Sequence, residues 1–322
     1  MAAADVAKRL KPITLERAKE SYEELKDYTP GAKPTLTREG TKALEYFFLP
    51  HRIRAKTKRN ISFMNALKDK KTYKYLLEKT RKIKKYSQLS RKKTPDEVLR
   101  NVHGSFELYY GTINQFRPAV AKWLYSQLKP DHILDFSAGW GGRALGAMSL
   151  GIQYTGIDAN KRLETAYDKM LKTLDPKAPV KLYFQPSETF DFSKLHHKYD
   201  LVFTSPPYFM IEKYEGMPKY EQEQGFLDAF FVPVVKAAWT HLKPGGNLAL
   251  NMPEAMYESI KKCLPKLHTK YKMPLMDRHP GEAVRGEDLK KGKTQRHEFI
   301  YVWHKVRNTA FDEEAKGCGV AP

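Results

Sequence analysis

The sequence predicts an α/β protein with a mainly parallel sheet covered by helices on both faces, preceded by a basic and mostly helical N-terminal region. Between about residues 105 and 305, short β-rich runs alternate with helical runs, which favours a parallel sheet. A glycine-rich turn follows the first of these runs. The first hundred residues are rich in lysine and lack the alternation. We therefore predict three parts, namely residues 1–104, residues 105–306 and a tail of residues 307–322.

Each predicted element of the sheet region is a local run of apolar or β-branched residues bounded by turn residues. The six strands are predicted at His132–Phe136, Tyr154–Asp158, Lys181–Phe184, Leu201–Thr204, Asn247–Met252 and Phe299–His304. Helices are predicted between most of them, at Gly142–Leu150, Lys161–Leu174 and Leu227–Leu242.

The positive charge of the chain is concentrated in one segment. The sequence has a formal net charge of +20, and residues 51–100 hold 18 Lys/Arg against 4 Asp/Glu, which is +14 of that total. Such a field attracts a polyanion, most commonly a nucleic acid. A basic face that is only solvated would show the same sequence pattern. The candidates for nucleic-acid contacts are Lys82, Lys84, Lys85, Arg91, Lys92 and Lys93.

Aromatic residues are interleaved with these cations. Tyr73, Tyr75 and Tyr86 alternate with lysines, a mixture that could stack bases and hold phosphates or could pack inward as a helical cap. Upstream, Pro50 is expected to break a helix. Downstream, Thr94 followed by Pro95 and two acids predicts a helix start.

The sequence indicates a soluble intracellular protein. Its two cysteines, Cys263 and Cys318, show no metal-ligand spacing, so we expect neither a disulfide framework nor a zinc site, and a reducing compartment fits. The N-terminus has charged residues where a signal peptide needs an apolar run, and no apolar run approaches the roughly 20 residues that span a bilayer. The sequence does not predict an oligomeric state.

An adenosine-containing cofactor is indicated by two features in consecutive strands. The run ILDFSAGWGGR from Ile133 to Arg143 is an apolar strand, a glycine-rich turn and a helix start, so that a ligand can approach the backbone closely. Nineteen residues after Gly139, Asp158 ends the next strand, where a carboxylate can accept hydrogen bonds from both ribose hydroxyls. These features do not separate S-adenosylmethionine from NAD. Asp135 favours the former, because a carboxylate there could face an ammonium group.

The turn HLKPGGNL at His241–Leu248 completes a resemblance to the class I S-adenosylmethionine-dependent methyltransferases over residues 105–305. The resemblance implies a Rossmann-like sheet with an antiparallel last strand and S-adenosylmethionine as cofactor. It implies that the glycine turn wraps the methionine part, that the second acid binds the ribose and that the third strand end meets the adenine. The residues concerned are Asp135, Ser137, Gly139 and Gly141 in the turn, Asp158 and Ala159 at the second strand end, and Ser187 or Gln185 at the third. Asn114 and Phe116, before the first strand, resemble a further cofactor segment, although a plain packing helix fits nearly as well.

The segment YDLVFTSPPY at Tyr199–Tyr208 carries the strongest chemical signal. Each proline removes a backbone donor and fixes φ, so two in a row make a rigid ledge with carbonyl acceptors. Acceptors at Ser205 and Pro206 can hold the two N–H groups of a base amine and favour a tetrahedral nitrogen. Pro207 stiffens the ledge, and Tyr208 offers a face for stacking an unstacked base. A chance proline-rich turn is the alternative.

Ser-Pro-Pro-Tyr after the fourth strand resembles the DNA amino-methyltransferases that modify N4 of cytosine or N6 of adenine. In that family Ser at the first position is associated more with cytosine, and similar tetrapeptides occur in RNA enzymes. We therefore expect direct methyl transfer, without a metal, to cytosine N4 of DNA first, adenine N6 second and an RNA base amine third. DNA is thus favoured over RNA as the partner, and a membrane is not expected. No large target-recognition domain follows residue 250, which puts strict sequence specificity in doubt.

Two readings from other classes stay open. The chain could be a nucleic-acid-binding protein on a methyltransferase scaffold that has lost activity, which intact Ser-Pro-Pro-Tyr and Asp158 argue against. The chain could also be an NAD-dependent oxidoreductase, but Ser-Pro-Pro-Tyr would then have no function. Two loops are further candidates, Phe209–Gly225 as a lid over the base and the basic stretch Arg278–Arg296 for backbone contacts. An ordinary surface connection fits the first loop equally well, and a solvated loop is the commoner outcome for a basic stretch such as the second.

Overall fold

A computed structural model describes residues 1–57, 59–83, 94–195, 198–207, 220, 222–273, 298–307, 310–311 and 315. Several sequence predictions lie outside these residues. They are Tyr208, Lys84, Lys85, Tyr86, Arg91, Lys92, Lys93, most of the expected lid and the whole basic stretch Arg278–Arg296.

The core of the protein is a seven-stranded sheet. Its strands are β1 His132–Asp135, β2 Gln153–Ile157, β3 Val180–Tyr183, β4 Tyr199–Thr204, β5 Leu242–Pro253, β6 Thr269–Lys272 and β7 Glu298–His304, in the order β3-β2-β1-β4-β5-β7-β6. Strands β1 to β5 are parallel, whereas β7 runs antiparallel to both β5 and β6. The α/β fold with an antiparallel last strand is therefore confirmed, and so are all six predicted strands. Strand β6 was not predicted.

Helices pack on both faces of the sheet, and several N-terminal helices form a hydrophobic cluster of their own. The described residues form twelve α-helices. They are α1 Ala3–Leu10, α2 Leu15–Asp27, α3 Thr41–Arg52, α4 Phe63–Lys68, α5 Lys70–Lys82, α6 Pro95–Tyr110, α7 Pro118–Leu128, α8 Gly142–Met148, α9 Glu164–Leu174, α10 Glu223–Phe226, α11 Val232–Thr240 and α12 Glu254–Ile260. A π-helical turn at Leu227–Phe231 joins α10 to α11. The predicted helix starting at Lys161 begins with a 3-10 turn, Lys161–Leu163, before α9.

Two of the N-terminal helices, α2 and α3, share a hydrophobic core with one face of the sheet. Leu44 and Phe48 of α3 belong to the same buried cluster as Ile133 and Phe203 of β1 and β4. The Lys122 ammonium of α7 donates to the carbonyls of Leu25 and Lys26 at the end of α2, at 2.7 Å each. These contacts bring α2 and α3 beside the carboxyl ends of the strands, where the candidate site lies. The predicted boundary at residue 104 stays a prediction.

Two local expectations about the N-terminal region have different outcomes. The predicted helix start at Thr94 is confirmed, because its side chain and that of Glu97 form a capping box. The predicted break at Pro50 is wrong, since α3 continues through Pro50 to Arg52. Pro50 lies in the last turn, where the helix ends two residues later.

The expectation that no disulfide forms is also wrong, because Cys263 is disulfide-bonded. The cysteines therefore lend no support to a reducing compartment. Among the described residues, no helix is both long and apolar enough to cross a membrane.

Candidate functional site

The turn after β1 is tightly enclosed by other backbone and ring atoms. Gly139 and Gly141 have φ of +60° and +79°, which strain any other residue. A Cβ on Gly141 would lie 2.8 Å from the Phe48 ring of α3, and one on Gly142 would overlap the carbonyl oxygen of Phe116. The turn therefore needs glycine for its conformation at Gly139 and Gly141 and for its packing at Gly141 and Gly142, and Gly139 lies on the cavity wall.

A tyrosine from α9 fixes this turn from behind. The Tyr167 hydroxyl donates to the carbonyls of Ala138 and Gly139, at 3.2 and 3.0 Å. Its ring meets that of Phe48 edge to face, with the centroids 5.0 Å apart. The N-terminal region thus supports the glycine turn directly through α3.

Asp135 does not face a ligand, so that expectation is wrong. Its carboxylate is fully buried and accepts from Arg143 Nε at 2.6 Å, from the Tyr154 hydroxyl at 2.5 Å, from the Thr204 hydroxyl at 2.8 Å and from the Ser137 N–H at 3.1 Å. All of its acceptor capacity is directed into the protein. Asp135 instead joins the glycine turn to the end of β4, since Ser137 lies in the turn and Thr204 immediately precedes Ser205.

Asp158 lies at the end of β2, where the sequence predicts the ribose acid. Its carboxylate accepts from the Gly139 N–H at 2.7 Å and from the Asn160 N–H at 2.9 Å. Burial raises its pKa above the usual value, and these two hydrogen bonds only partly oppose that effect. Asp158 and the neighbouring Ala159 both line the cavity described below.

The segment before α7 lies against the same turn. The Phe116 ring contacts the Phe203 ring edge to face, with centroids 5.5 Å apart, and the Arg143 guanidinium lies 5.3 Å from the centroid of the Phe116 ring. Asn114 and Phe116 both line the cavity. Beside them, the Arg117 guanidinium donates to the carbonyls of Leu36 and Thr37, which holds the loop before α3 in place.

The end of β3 contributes Ser187, whose hydroxyl donates to the Phe136 carbonyl at 2.5 Å. Ser187 lines the cavity, but its proton is engaged with the β1 turn. If its hydroxyl contacts adenine, it does so only as an acceptor.

At the end of β4, Ser205 and Pro207 line the cavity, and Pro206 is buried behind them. The Ser205 hydroxyl donates to the side-chain oxygen of Asn251 at 3.4 Å, a long contact. The Asn251 amide in turn donates to the Phe299 carbonyl at 3.2 Å, so the direction of the Asn251 side chain is set by strand β7.

One cavity of about 1580 Å³ brings these residues together. Its wall contains seven of the nine cofactor residues predicted from the sequence and two of the four predicted catalytic residues, namely Asn114, Phe116, Ser137, Gly139, Asp158, Ala159, Ser187, Ser205 and Pro207. Of the predicted cofactor and catalytic residues that the structure describes, Asp135, Gly141, Pro206 and the alternative adenine contact Gln185 do not line it.

Sequence reasoning missed several residues of this wall. Asn251 and Glu298 lie on β5 and β7, where Pro253 pairs with Glu298 and Asn251 with Ile300. Burial raises the pKa of Glu298. A polar residue inside the apolar run Asn247–Met252 was the available signal for Asn251. No comparable signal marked the N-terminal helices, which add Arg52, Lys42 and others to the wall.

The predicted nucleic-acid contacts are only partly described. Lys82 is exposed at the end of α5. Within the described part of the chain, no cation of α5 forms an ion pair with a carboxylate. The Lys79 ammonium lies over the rings of Tyr75 and Tyr109, at 5.1 and 5.6 Å from their centroids. Tyr73 packs against the hydrophobic cluster of the N-terminal helices, which agrees with inward packing. Tyr75 is 40% exposed, and base stacking by it stays a prediction.

The sequence matches a family model described as conserved hypothetical protein 95 over residues 109–239. No curated protein matches it. Among solved structures it is similar to TrmN from Thermus thermophilus, with 14% identity, 72% of this chain and 78% of that chain covered and a TM-score of 0.42. It is also similar to an rRNA methylase from Streptococcus thermophilus, with 12% identity, 61% and 100% covered and a TM-score of 0.37.

A third similar structure is NSun6 from Pyrococcus horikoshii with SFG, at 17% identity and a TM-score of 0.40, with 63% of this chain and 55% of that chain covered. These identities are low and the TM-scores lie below 0.5. The strand order and the antiparallel β7 are those of the class I methyltransferase fold.

Proposed function

We propose that the protein is an S-adenosylmethionine-dependent methyltransferase that acts on an exocyclic amine of a nucleic-acid base. The observation that supports this most strongly is that Ser205 and Pro207 line the same cavity as Gly139 and Asp158. The candidate cofactor end and the candidate chemical end are therefore parts of one site.

The residues of the glycine turn fit this cofactor. A side chain at Gly139 or Gly141 would strain the backbone, and Asp158 offers carboxylate oxygen toward the cavity beside that turn. Asp158 would accept the ribose hydroxyls, and Phe116 would pack against the adenosine. When bound, S-adenosylmethionine supplies an electrophilic methyl group on a sulfonium.

The cavity has room for a second ligand. Pockets for one small ligand have volumes of roughly 300–1,000 Å³, and this cavity is larger at about 1580 Å³. A flipped or unpaired base can therefore enter beside a cofactor. The exposed cations of α5, together with the +14 of residues 51–100, favour a polyanion as the carrier of that base.

Ser205 presents its hydroxyl oxygen at the cavity wall, where a long 3.4 Å contact links it to Asn251, whose side chain is held by the Phe299 carbonyl. We assign this oxygen as the acceptor of one N–H bond of the base amine. The sequence predicts a second acceptor at the Pro206 carbonyl, but Pro206 does not line the cavity, so the proposal rests on the Ser205 oxygen. An acceptor fixed beside the amine leaves its lone pair exposed and favours attack on a methyl carbon without a strong base. Transfer would form the N–C bond as the C–S bond breaks, leaving S-adenosylhomocysteine as a neutral thioether, and the cationic methylated amine would release its excess proton to water.

The base and the polymer are finer parts of the proposal. Cytosine N4 of DNA is the first candidate, because the ledge begins with Ser and the resemblance links Ser with cytosine. Adenine N6 and a base amine of RNA are the alternatives. The proposal is tested by incubating the protein with methyl-labelled S-adenosylmethionine and, in separate reactions, unmodified DNA and RNA, single- and double-stranded.

Nucleoside mass spectrometry then identifies the polymer, the base and the atom. Label on an exocyclic nitrogen supports the proposal, and label on a ring carbon or a ribose oxygen contradicts it. Cofactor binding without transfer to any nucleic acid would favour an inactive scaffold instead.

A further inference from the structure

Arg52, the last residue of α3, lines the cavity with an incompletely satisfied guanidinium. One of its Nη groups donates to the side-chain oxygen of Gln115 at 2.5 Å. Its Nε is buried and has no hydrogen-bond partner. Leaving a buried charged donor unsatisfied is costly. The Nε is closed to the cavity, so a ligand oxygen would be met by the Nη N–H groups that Gln115 leaves unused.

The surroundings of Arg52 do not supply that acceptor. Glu45 and Glu107 line the same cavity, but Glu45 forms an ion pair with Lys11. Among the described residues, no carboxylate lies within 4.0 Å of the Arg52 guanidinium, and burial lowers its pKa. The two acids balance part of the local charge without bonding to Arg52.

We propose that Arg52, held in place by Gln115, forms an oxyanion subsite in this cavity. A guanidinium presents a planar fork of N–H groups that fits two oxygens of one carboxylate or phosphate. This inference rests on the proposed function, under which two oxyanions reach the cavity. They are the carboxylate of the methionine part of the cofactor and a phosphate that flanks the target base.

Each source has an observation in its favour. Gln115 lies between Asn114 and Phe116, the predicted cofactor segment, which suits the carboxylate. Arg38 and Lys42 are exposed on the same cavity wall, and neither pairs with a carboxylate of the described residues, which suits a phosphate. The ligand chemistry is the same in both cases, and binding measurements separate the sources.

The test compares Arg52→Gln with Arg54→Gln. Arg54 is exposed, lies two residues further on, does not line the cavity and carries the same charge, so it controls for the loss of one cation. Calorimetry measures the affinity for S-adenosylhomocysteine and for 5′-methylthioadenosine, which lacks the amino-acid part. Fluorescence anisotropy measures the affinity for single-stranded DNA and RNA oligonucleotides over a range of salt concentrations.

A charge-assisted hydrogen bond corresponds to roughly a tenfold or larger change in affinity. If the carboxylate is the source, Arg52→Gln binds S-adenosylhomocysteine at least about tenfold more weakly than Arg54→Gln does. The affinity of Arg52→Gln for 5′-methylthioadenosine is then unchanged. If a phosphate is the source, oligonucleotide affinity falls instead and the salt slope decreases by about 0.7.

The subsite is refuted if Arg52→Gln and Arg54→Gln bind all of these ligands equally well while the wild type binds both the cofactor product and the oligonucleotide. A wild type that binds neither contradicts the proposed function instead. Should Arg52→Gln not fold, Arg52→Lys against Arg54→Lys keeps the charge and removes the fork. It is expected to show a smaller loss for the same ligand, and equal affinities would refute the subsite.

Discussion

Replacing Asp135 with Asn separates a structural role from a cofactor role at the glycine turn. The Asp135 carboxylate is fully buried and the Arg143 side chain is only 4% exposed, so the substitution leaves a buried guanidinium without its counter-charge. Losing one partner of a buried pair costs about 3–5 kcal/mol. Tyr154→Phe removes one hydroxyl donor and keeps the charge pair, so it should cost less, at most about 1.5–3 kcal/mol.

Urea unfolding of the wild type and the two variants measures these free energies. An unchanged m value shows that unfolding exposes the same surface area in all three proteins. Calorimetry then gives the cofactor affinity, corrected for the folded fraction. We expect Asp135→Asn to lower the free energy of unfolding more than Tyr154→Phe does. Its affinity for S-adenosylmethionine should fall by less than about tenfold. A loss of affinity above tenfold without a loss of stability would refute the assignment and return Asp135 to the cofactor site.

Four further predictions concern the cavity and the basic helix. Ser205→Ala should slow single-turnover methyl transfer by about 10²-fold and leave the cofactor Kd unchanged. Asp158→Ala should instead raise the cofactor Kd by about 10–100-fold. An equal rise of the Kd in both variants would contradict these roles. Because burial raises the Asp158 pKa and the ionised form accepts the ribose hydroxyls, cofactor affinity should be constant above that pKa and fall as the pH drops through it, a dependence that Asp158→Asn removes. Gly142→Ala should destabilise the fold by at least about 1–3 kcal/mol in thermal unfolding because its Cβ would overlap a carbonyl, while Gly225→Ala, with open space around it, should not. Lys82→Gln should reduce the salt slope of nucleic-acid binding by about 0.7–0.9, and an unchanged slope would remove Lys82 from the contact surface.

The parts of the fold that the sequence predicted are those encoded locally. The turn from Phe136 to Gly141 and the end of β4 at Ser205 follow from glycine and proline spacing next to apolar strands. Strand β6 was missed because Thr269–Lys272 is a short, half-exposed run in which Tyr271 alone packs against the core. It forms only through pairing with β7, which is a tertiary contact.

The parts that could not be predicted depend on side-chain direction and on long-range packing. The position of Asp135 within the turn region is visible in the sequence, but its orientation toward Arg143 and Thr204 is not. The docking of α3 against Gly141 is equally invisible, because helical periodicity shows an apolar face and not what covers it. For the same reason no sequence signal marked Arg52 as part of the cavity.

The distance between the methyl carbon of bound S-adenosylmethionine and Ser205 Oγ tests the central geometry most directly. A reacting nitrogen about 3–3.5 Å from the methyl carbon and within about 2.6–3.2 Å of the hydroxyl requires these two atoms to lie no more than about 7 Å apart. We predict that a crystal structure of the complex shows such a distance, with the methyl group directed toward Ser205. A methyl group that lies farther away, or points to the opposite side of the cavity, would contradict transfer at this ledge.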